Sequence, residues 1–177
     1  GFAVDDDRFE VDDGALKLKA GEVLDAEAEP TVALTVTATD AGGLTYSQGL
    51  TLTVADANEA PTAIALDAAS VAENAAGAVV GKLTVTDPDV GDLHRFAVDD
   101  DRFEIVESAL KLKAGEVLDA ETEPSMALTV TATDAGGLTY SQAFTLAVTD
   151  VNEAPTAIAL DAASVAENAA GAVVGQL

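Results

Sequence analysis

The sequence predicts an all-β fold, arranged as tandem seven-stranded Greek-key β-sandwiches, and three observations carry that prediction. The chain repeats itself: Asp56 and Asp150, each inside an Asp-x-Asn-Glu-x-Pro segment, lie 94 positions apart, and at that offset 69 of 83 overlapping positions are identical. The periodic stretches are rich in Val, Thr, Leu and Ile and alternate apolar with polar at period two. Short segments holding Gly and Asp separate them as turns. A period of 94 residues is too long for one solenoid turn and suits a whole small domain.

In chain order, Ala63–Leu66, Val79–Thr86, His94–Val98 and Ala109–Lys113 read as short strands, with the turn "DPDVGD" after the second. The alanines of "AAGAVV" suit a helix, but Gly77 and Gly81 bracket too short a window. In "ALTVTATD", Leu128, Val130 and Ala132 share one face while Thr129, Thr131 and Thr133 take the other. Ala135–Gly137 supplies a turn, and Phe144, Leu146 and Val148 fall on one face of the next run, which makes a hairpin. About seven such strands per repeat fit a two-sheet sandwich.

The expected organisation follows from the offset. Residues 1–59 read as the C-terminal part of one repeat, 60–153 as a complete repeat, and 154–177 as the N-terminal strands of the next. Those last strands are also suited to complete residues 1–59 of a neighbouring molecule, joining copies head to tail by main-chain pairing.

Composition narrows the function. With 49% apolar residues the chain can fill a core. The absence of cysteine removes disulfides and thiolate metal sites. Eight basic residues against 32 acidic ones give a formal charge of −24, a surface that repels nucleic acid and anionic membranes. No apolar run is long enough to insert in a membrane. Catalysis has little to build on: one His, no Cys, no G-x-S-x-G elbow, and carboxylate pairs that recur with the repeat rather than defining one cleft.

The carboxylates concentrate at strand ends and in turns: Glu73, Asp87 and Asp89, Asp119 and Glu121, Asp134, and the linker set Asp150, Asn152 and Glu153. Hard oxygen donors of this kind suit Ca²⁺, which takes six to eight of them. They form no EF-hand loop and would have to converge in space between repeats.

The set "AEN", "LDAE", "DANEAP", "DPD" and "ATDAGG" resembles the calcium-binding motifs of cadherin repeats, and most of all the cadherin-like repeats of large bacterial surface proteins. That resemblance implies Ca²⁺ between consecutive domains. The first junction would use Asp25, Glu27, Asp56, Asn58, Glu59, Asp87, Asp89 and Asp134; the second would use Glu73, Asp119, Glu121, Asp150, Asn152 and Glu153. The linker reads Asn-Glu where animal cadherins usually have Asn-Asp-Asn, so one or two ions per junction are expected. The resemblance further implies an extracellular, cell-surface bacterial adhesin, stalk or fibre whose partners are neighbouring repeats and whose role is structural. A polysaccharide-binding module is the alternative, and 4% aromatic residues speak against it. Outside the motifs, the "DDDRF" runs at 5–9 and 99–103 read as solvated turns, His94 as a surface or edge residue, and Tyr46 and Tyr140 as rim packing.

Overall fold

A computed structural model describes residues 1–168 and 170–177, and every regular element among them is a β-strand. The complete sandwich runs from β6 (Ala63–Leu66) through β7 (Ser70–Ala72), β8 (Val79–Thr86), β9 (Arg95–Val98), β10 (Phe103–Val106), β11 (Ala109–Leu112) and β12 (Ser125–Thr133) to β13 (Thr139–Thr149). One sheet has the order β10-β11-β8-β6 and the other β7-β13-β12-β9. The first strand of the repeat is therefore split. Its β6 half pairs antiparallel with β8, and its β7 half crosses to pair parallel with β13. Counting that split strand once gives the seven strands expected.

The hairpin β12–β13 shows how alternation builds the core. Met126, Leu128, Val130 and Ala132 face inward and are buried, and Leu146 and Val148 meet them from β13. Leu83, Phe103, Leu110 and Leu112 close the other side. The turn between β12 and β13 needs Gly137, which sits at φ 94°, a left-handed conformation costly for residues with a Cβ. Asp134 Oδ1 accepts the Leu138 N–H across that turn at 2.7 Å.

Two strands lie where none was expected. β7 spans three residues, too few to show a period, and β10 emerges directly from "DDDRF". That run is a turn but not a solvated one: Phe103 is 2% exposed and Arg102 bridges Asp100 and Glu123. Its counterpart repeats the pattern, with Phe9 buried and Arg8 bonded to Asp6 and Glu29. Asp99 Oδ1 accepts the Thr129 N–H at 2.7 Å, and Asp5 Oδ1 accepts that of Thr35 at 2.6 Å.

Residues 1–59 hold β1 (Phe2–Val4), β2 (Phe9–Asp12), β3 (Ala15–Leu18), β4 (Thr31–Thr39) and β5 (Thr45–Thr53). They form a β1-β4-β5 sheet and a β2-β3 hairpin, which match β9-β12-β13 and β10-β11 at the repeat offset. Nothing there corresponds to β6, β7 or β8. Leu16 and Leu18 are accordingly half-buried where Leu110 and Leu112 are fully buried. Among the described residues of 154–177 no strand forms, contrary to expectation; a strand needs a ladder partner, and that segment has only a hydrogen-bonded contact between Asp161 and Gln176.

Asp99 and Asp100 make the fold acid-sensitive. The Thr129 backbone amide holds Asp99 below its ordinary 3.8, and the Arg102 guanidinium does the same to Asp100. Both folded-state values are depressed, so their contribution is complete above 3.8 and is lost as pH falls through the lower folded values. Urea melts in chelator should show the wild-type midpoint dropping more steeply below 3.8 than that of a D99N/D100N variant, and parallel curves would refute the assignment.

Candidate functional site

The strand ends deliver acidic side chains to two places. In the first, Glu27 from the β3–β4 loop meets Asp56 and Glu59 from the β5–β6 connection and Asp89 from the β8–β9 loop. One carboxylate oxygen from each lies within 4.8 Å of all the others. In the second, Glu73 after β7 meets Glu121 from the β11–β12 loop and Asp150 and Glu153 after β13, within the same limit. At the repeat offset Glu27 matches Glu121, Asp56 matches Asp150 and Glu59 matches Glu153. The fourth member differs, being Asp89 in one cluster and Glu73 in the other.

Backbone donors set the geometry. Glu73, 2% exposed, accepts the Ala120 N–H on Oε2 and the Val151 N–H on Oε1, each at 2.6 Å. Those two bonds hold Glu73 below the ordinary glutamate value. Glu121 goes the other way. A bond to its own amide pulls it down, but desolvation and the charges of Glu73, Glu153 and Asp150 outweigh that and raise it. Glu27 is raised in the same manner, its own amide being overcome by desolvation and by Glu59 and Asp56. Desolvation, then Asp89 and Asp56, raises Glu59. These carboxylates face one another, and among the described residues no Lys or Arg ion pair reaches either cluster.

Side chains and backbone of residues 58 and 59 tie the β5–β6 connection to the complete sandwich. Glu59 N–H donates to Asp89 Oδ2 at 2.9 Å, and Asn58 Nδ2 donates to Asp134 Oδ2 at 2.9 Å. Desolvation pushes the buried Asp134 up, but Asn58 and the amides of Leu138, Gly137 and Gly136 together hold it below the ordinary value.

Not every residue expected at these sites joins a cluster. Asp25 Oδ1 accepts the Ala28 N–H at 2.8 Å and Asp119 Oδ1 the Thr122 N–H at 3.0 Å, so each closes its own turn, although the Asp25 charge still acts on Glu59. Asn152 Nδ2 donates to the Glu153 carbonyl, and Asn74 reaches Glu153 Oε1. Asp87 turns to His94 rather than to the four carboxylates, with Oδ2 2.6 Å from Nε2. His94 thus lies beside an edge strand, as expected, but its side chain is sheltered against Asp87. Asn74 of "AEN", Asp92 of "DPDVGD" and His94 come close to these acidic groups although none is among the expected ligands.

The donors fit a hard cation. All four groups in each cluster are carboxylates, and oxygens held at about 2.3–2.6 Å span about 4.6–5.2 Å across a calcium ion, in keeping with the observed limit. The fit also has a cradle: a Cβ on Gly136 would lie 2.4 Å from Asn58 Oδ1, so Asn58 seats against the β12–β13 turn only because residue 136 has none.

Gly136→Ala should therefore dislodge Asn58, cost about 0.5–1.5 kcal/mol in denaturant melts and raise hydrogen exchange through residues 56–60. In an Asn58→Ala background the same substitution should cost nothing further; an undiminished cost there would sink the seating argument.

Over residues 67–149 the chain matches the family description of the Cadherin domain. It is 34% identical over 160 residues to human Protocadherin-16, an alignment that covers 80% of this chain and 5% of that protein. The structure of Protocadherin Gamma B2 extracellular cadherin domains 1–5 is similar with a TM-score of 0.62 and 27% identity, covering 86% of this chain and 33% of that one. Drosophila N-cadherin EC1-4 shares the fold at a TM-score of 0.65 and 21% identity, covering 84% and 41%. The chain thus spans a small fraction of its curated relative and less than half of each of these structures.

Proposed function

We propose, from the match of residues 67–149 to the Cadherin domain family, that the chain is a calcium-rigidified structural repeat of an extracellular bacterial adhesin, stalk or fibre. Residues 1–59 are the end of one repeat, 60–153 a complete one, and 154–177 the opening strands of the next. The observation that carries this reading is the pair of four-carboxylate clusters, each gathering residues remote in sequence around one linker, with no Lys or Arg ion pair to them among the described residues.

Glu27, Asp56, Asn58, Glu59, Asp89 and Asp134 would serve the first junction, to which the resemblance adds Asp25 and Asp87. Glu73, Glu121, Asp150 and Glu153 would serve the second, with Asp119 and Asn152 beside them. Bound Ca²⁺ supplies positive charge and many-fold oxygen coordination, and extracellular modules take it at about 10⁻⁴–10⁻³ M. The chain's own residues supply the rest. Their mutual repulsion loosens the linkers when uncompensated, and their attachment to strand ends converts compensation into a fixed angle between sandwiches. The role is mechanical rather than catalytic. Near-identity of adjacent repeats supports a long, uniform stalk of the bacterial kind, although the relatives named above are animal proteins. For the polysaccharide alternative, the exposed aromatics among the described residues are Phe2 and Tyr46, both in residues 1–59.

Small-angle scattering and melting in a calcium titration test the reading. Length and melting temperature should both rise with Ca²⁺ and fall with chelator, and Asp56→Ala with Asp150→Ala should abolish the response while the sandwich stays folded. A wild-type chain indifferent to millimolar calcium ends the proposal.

The same reading includes head-to-tail association. Residues 154–175 repeat 60–81 without a change, and the open half-sandwich presents Phe2, Leu16, Val36, Tyr46 and Leu50 around an apolar cleft. In the complete repeat, Val71 lies beside Val148; the matching partners between copies are Val165 and Val54. Light scattering should show mass rising with concentration, and Val165→Asp should hold the chain at monomer mass. A strictly monomeric wild type removes this part alone.

A further inference from the structure

The two four-carboxylate clusters are not equally furnished. In the second, Glu73 accepts the Ala120 and Val151 N–H groups, and its own N–H donates to the Thr149 carbonyl at 3.1 Å. The Asn74 N–H donates to the Leu118 carbonyl, also at 3.1 Å. At the repeat offset, the four residues that receive this Glu-Asn pair become Ala26, Ala57, Ala55 and Leu24, around the first cluster. Among the described residues, the Ala26 and Ala57 amides and the Ala55 and Leu24 carbonyls make no hydrogen bond. The first cluster has the socket and lacks the glutamate.

That glutamate exists elsewhere in the chain. Residues 154–175 repeat 60–81 without a change, so Glu167 and Asn168 are the twins of Glu73 and Asn74. At its described residues the tail holds the same local shape although it forms no strand. Asn168 sits at φ 59° and Asn74 at 56°, a left-handed conformation uncommon outside glycine. The Gln176 N–H donates to Asp161 Oδ1 at 2.8 Å, as the Lys82 N–H does to Asp67 Oδ1 at 2.6 Å. A Cβ on Gly175 would lie 2.6 Å from the Ala162 carbonyl oxygen, and one on Gly81 would lie 2.7 Å from that of Ala68. The fold-back that carries the complete repeat from one sheet to the other is thus already shaped in the tail, which lowers the cost of ordering it on a partner. Glu167 is exposed there, whereas Glu73 is buried.

We propose that Glu167 of one copy completes the first acidic cluster of the next, so that calcium binding and head-to-tail association are linked. The proposal rests on the head-to-tail reading given above. With Val165 beside Val54 of the next copy, in the register of Val71 and Val148, Glu167 meets the Ala26 and Ala57 amides. It brings a fifth carboxylate to Glu27, Asp56, Glu59 and Asp89. That cluster calls for a cation on separate grounds, since Asp89 Oδ1 is buried without a hydrogen-bond partner among the described residues. The linkage has a sign. Without a cation, docking adds a negative charge to four that already face one another, and the two amides offset only part of it. With Ca²⁺ present, the same carboxylate is one more oxygen ligand. Calcium therefore tightens the contact between copies, and the contact tightens calcium by the same factor.

Sedimentation equilibrium of the full chain, in chelator and in millimolar Ca²⁺, tests the linkage. The association constant should rise about fivefold or more with calcium. Glu167→Gln keeps an acceptor oxygen and gives up the charge, so its association should be the same in both conditions. Val165→Asp should stay monomeric in both, which assigns the measured association to the tail. Wild type associating equally with and without calcium, or Glu167→Gln responding to calcium as wild type does, overturns the linkage and leaves the head-to-tail reading standing. A wild type monomeric in both conditions, or a Val165→Asp variant that associates like wild type, removes the head-to-tail reading and the linkage with it.

Discussion

Glu73 sets the terms for the second acidic cluster. A carboxylate this deeply buried, in a chain of formal charge −24, must be met by donors or it will drag the fold apart. Ala120 N–H and Val151 N–H meet it, one from the β11–β12 loop and one from the segment after β13. Three stretches of chain are pinned by that one side chain. Glu121, Asp150 and Glu153 are neighbours of the pinned residues, so they are carried within reach of each other whether or not their own charges favour it. The raised Glu121 records the resulting repulsion, and the depressed Glu73 records what holds the group together against it.

The repeat also acts as an internal control on what local sequence can dictate. Residues 60–81 and 154–175 are identical, yet the first stretch forms β6, β7 and the start of β8 while the second forms no strand among its described residues. Ile64 is 5% exposed and its twin Ile158 is 81% exposed. Alternation and β-branching made the segment capable of being a strand. Only the presence of β8, β11 and β13 made it one. The same holds for β3 and β11, which share the sequence ALKL and differ in burial because one has a covering sheet and the other does not.

Legibility in the sequence followed that divide. β6, β8, β9, β11 and the β12–β13 hairpin could be read from period and turn residues. β7 could not, because its existence is a tertiary event: the chain leaves one sheet at Asp67–Ala69 and enters the other. Nor could β10, because a run of three aspartates and an arginine looks like solvent and is in fact an ion-paired turn over Phe103. At the sites, the motifs identified the acidic segments but not their grouping. A short Asp side chain can satisfy itself on an amide two or three residues ahead, as Asp25, Asp87 and Asp119 do. Sequence spacing cannot say which aspartates choose that and which face outward to their neighbours. The pairing of His94 with Asp87 was hidden for the same reason, since the turn of "DPDVGD" brings the two together.

The two acidic clusters differ in one member each. Each contains the Glu of "LDAE" and the Asp and Glu of the linker. The first adds Asp89 from the repeat after the linker, and the second adds Glu73 from the repeat before it. What each lacks is what the other holds, so a junction with a full repeat on both sides brings a Glu73 and an Asp89 to the same linker. Five carboxylates then converge where four already repel. The unfavourable charge of the metal-free junction and the number of oxygens available to a cation grow together, and both attach to the rigid ends of β7, β8 and β13. On the proposed reading, a linker loaded in this way would have two conditions, loosened by repulsion or locked by compensation. On the proposed calcium reading, near-identity of the repeats would give successive junctions the same affinity, so they would fill over one range of calcium concentration.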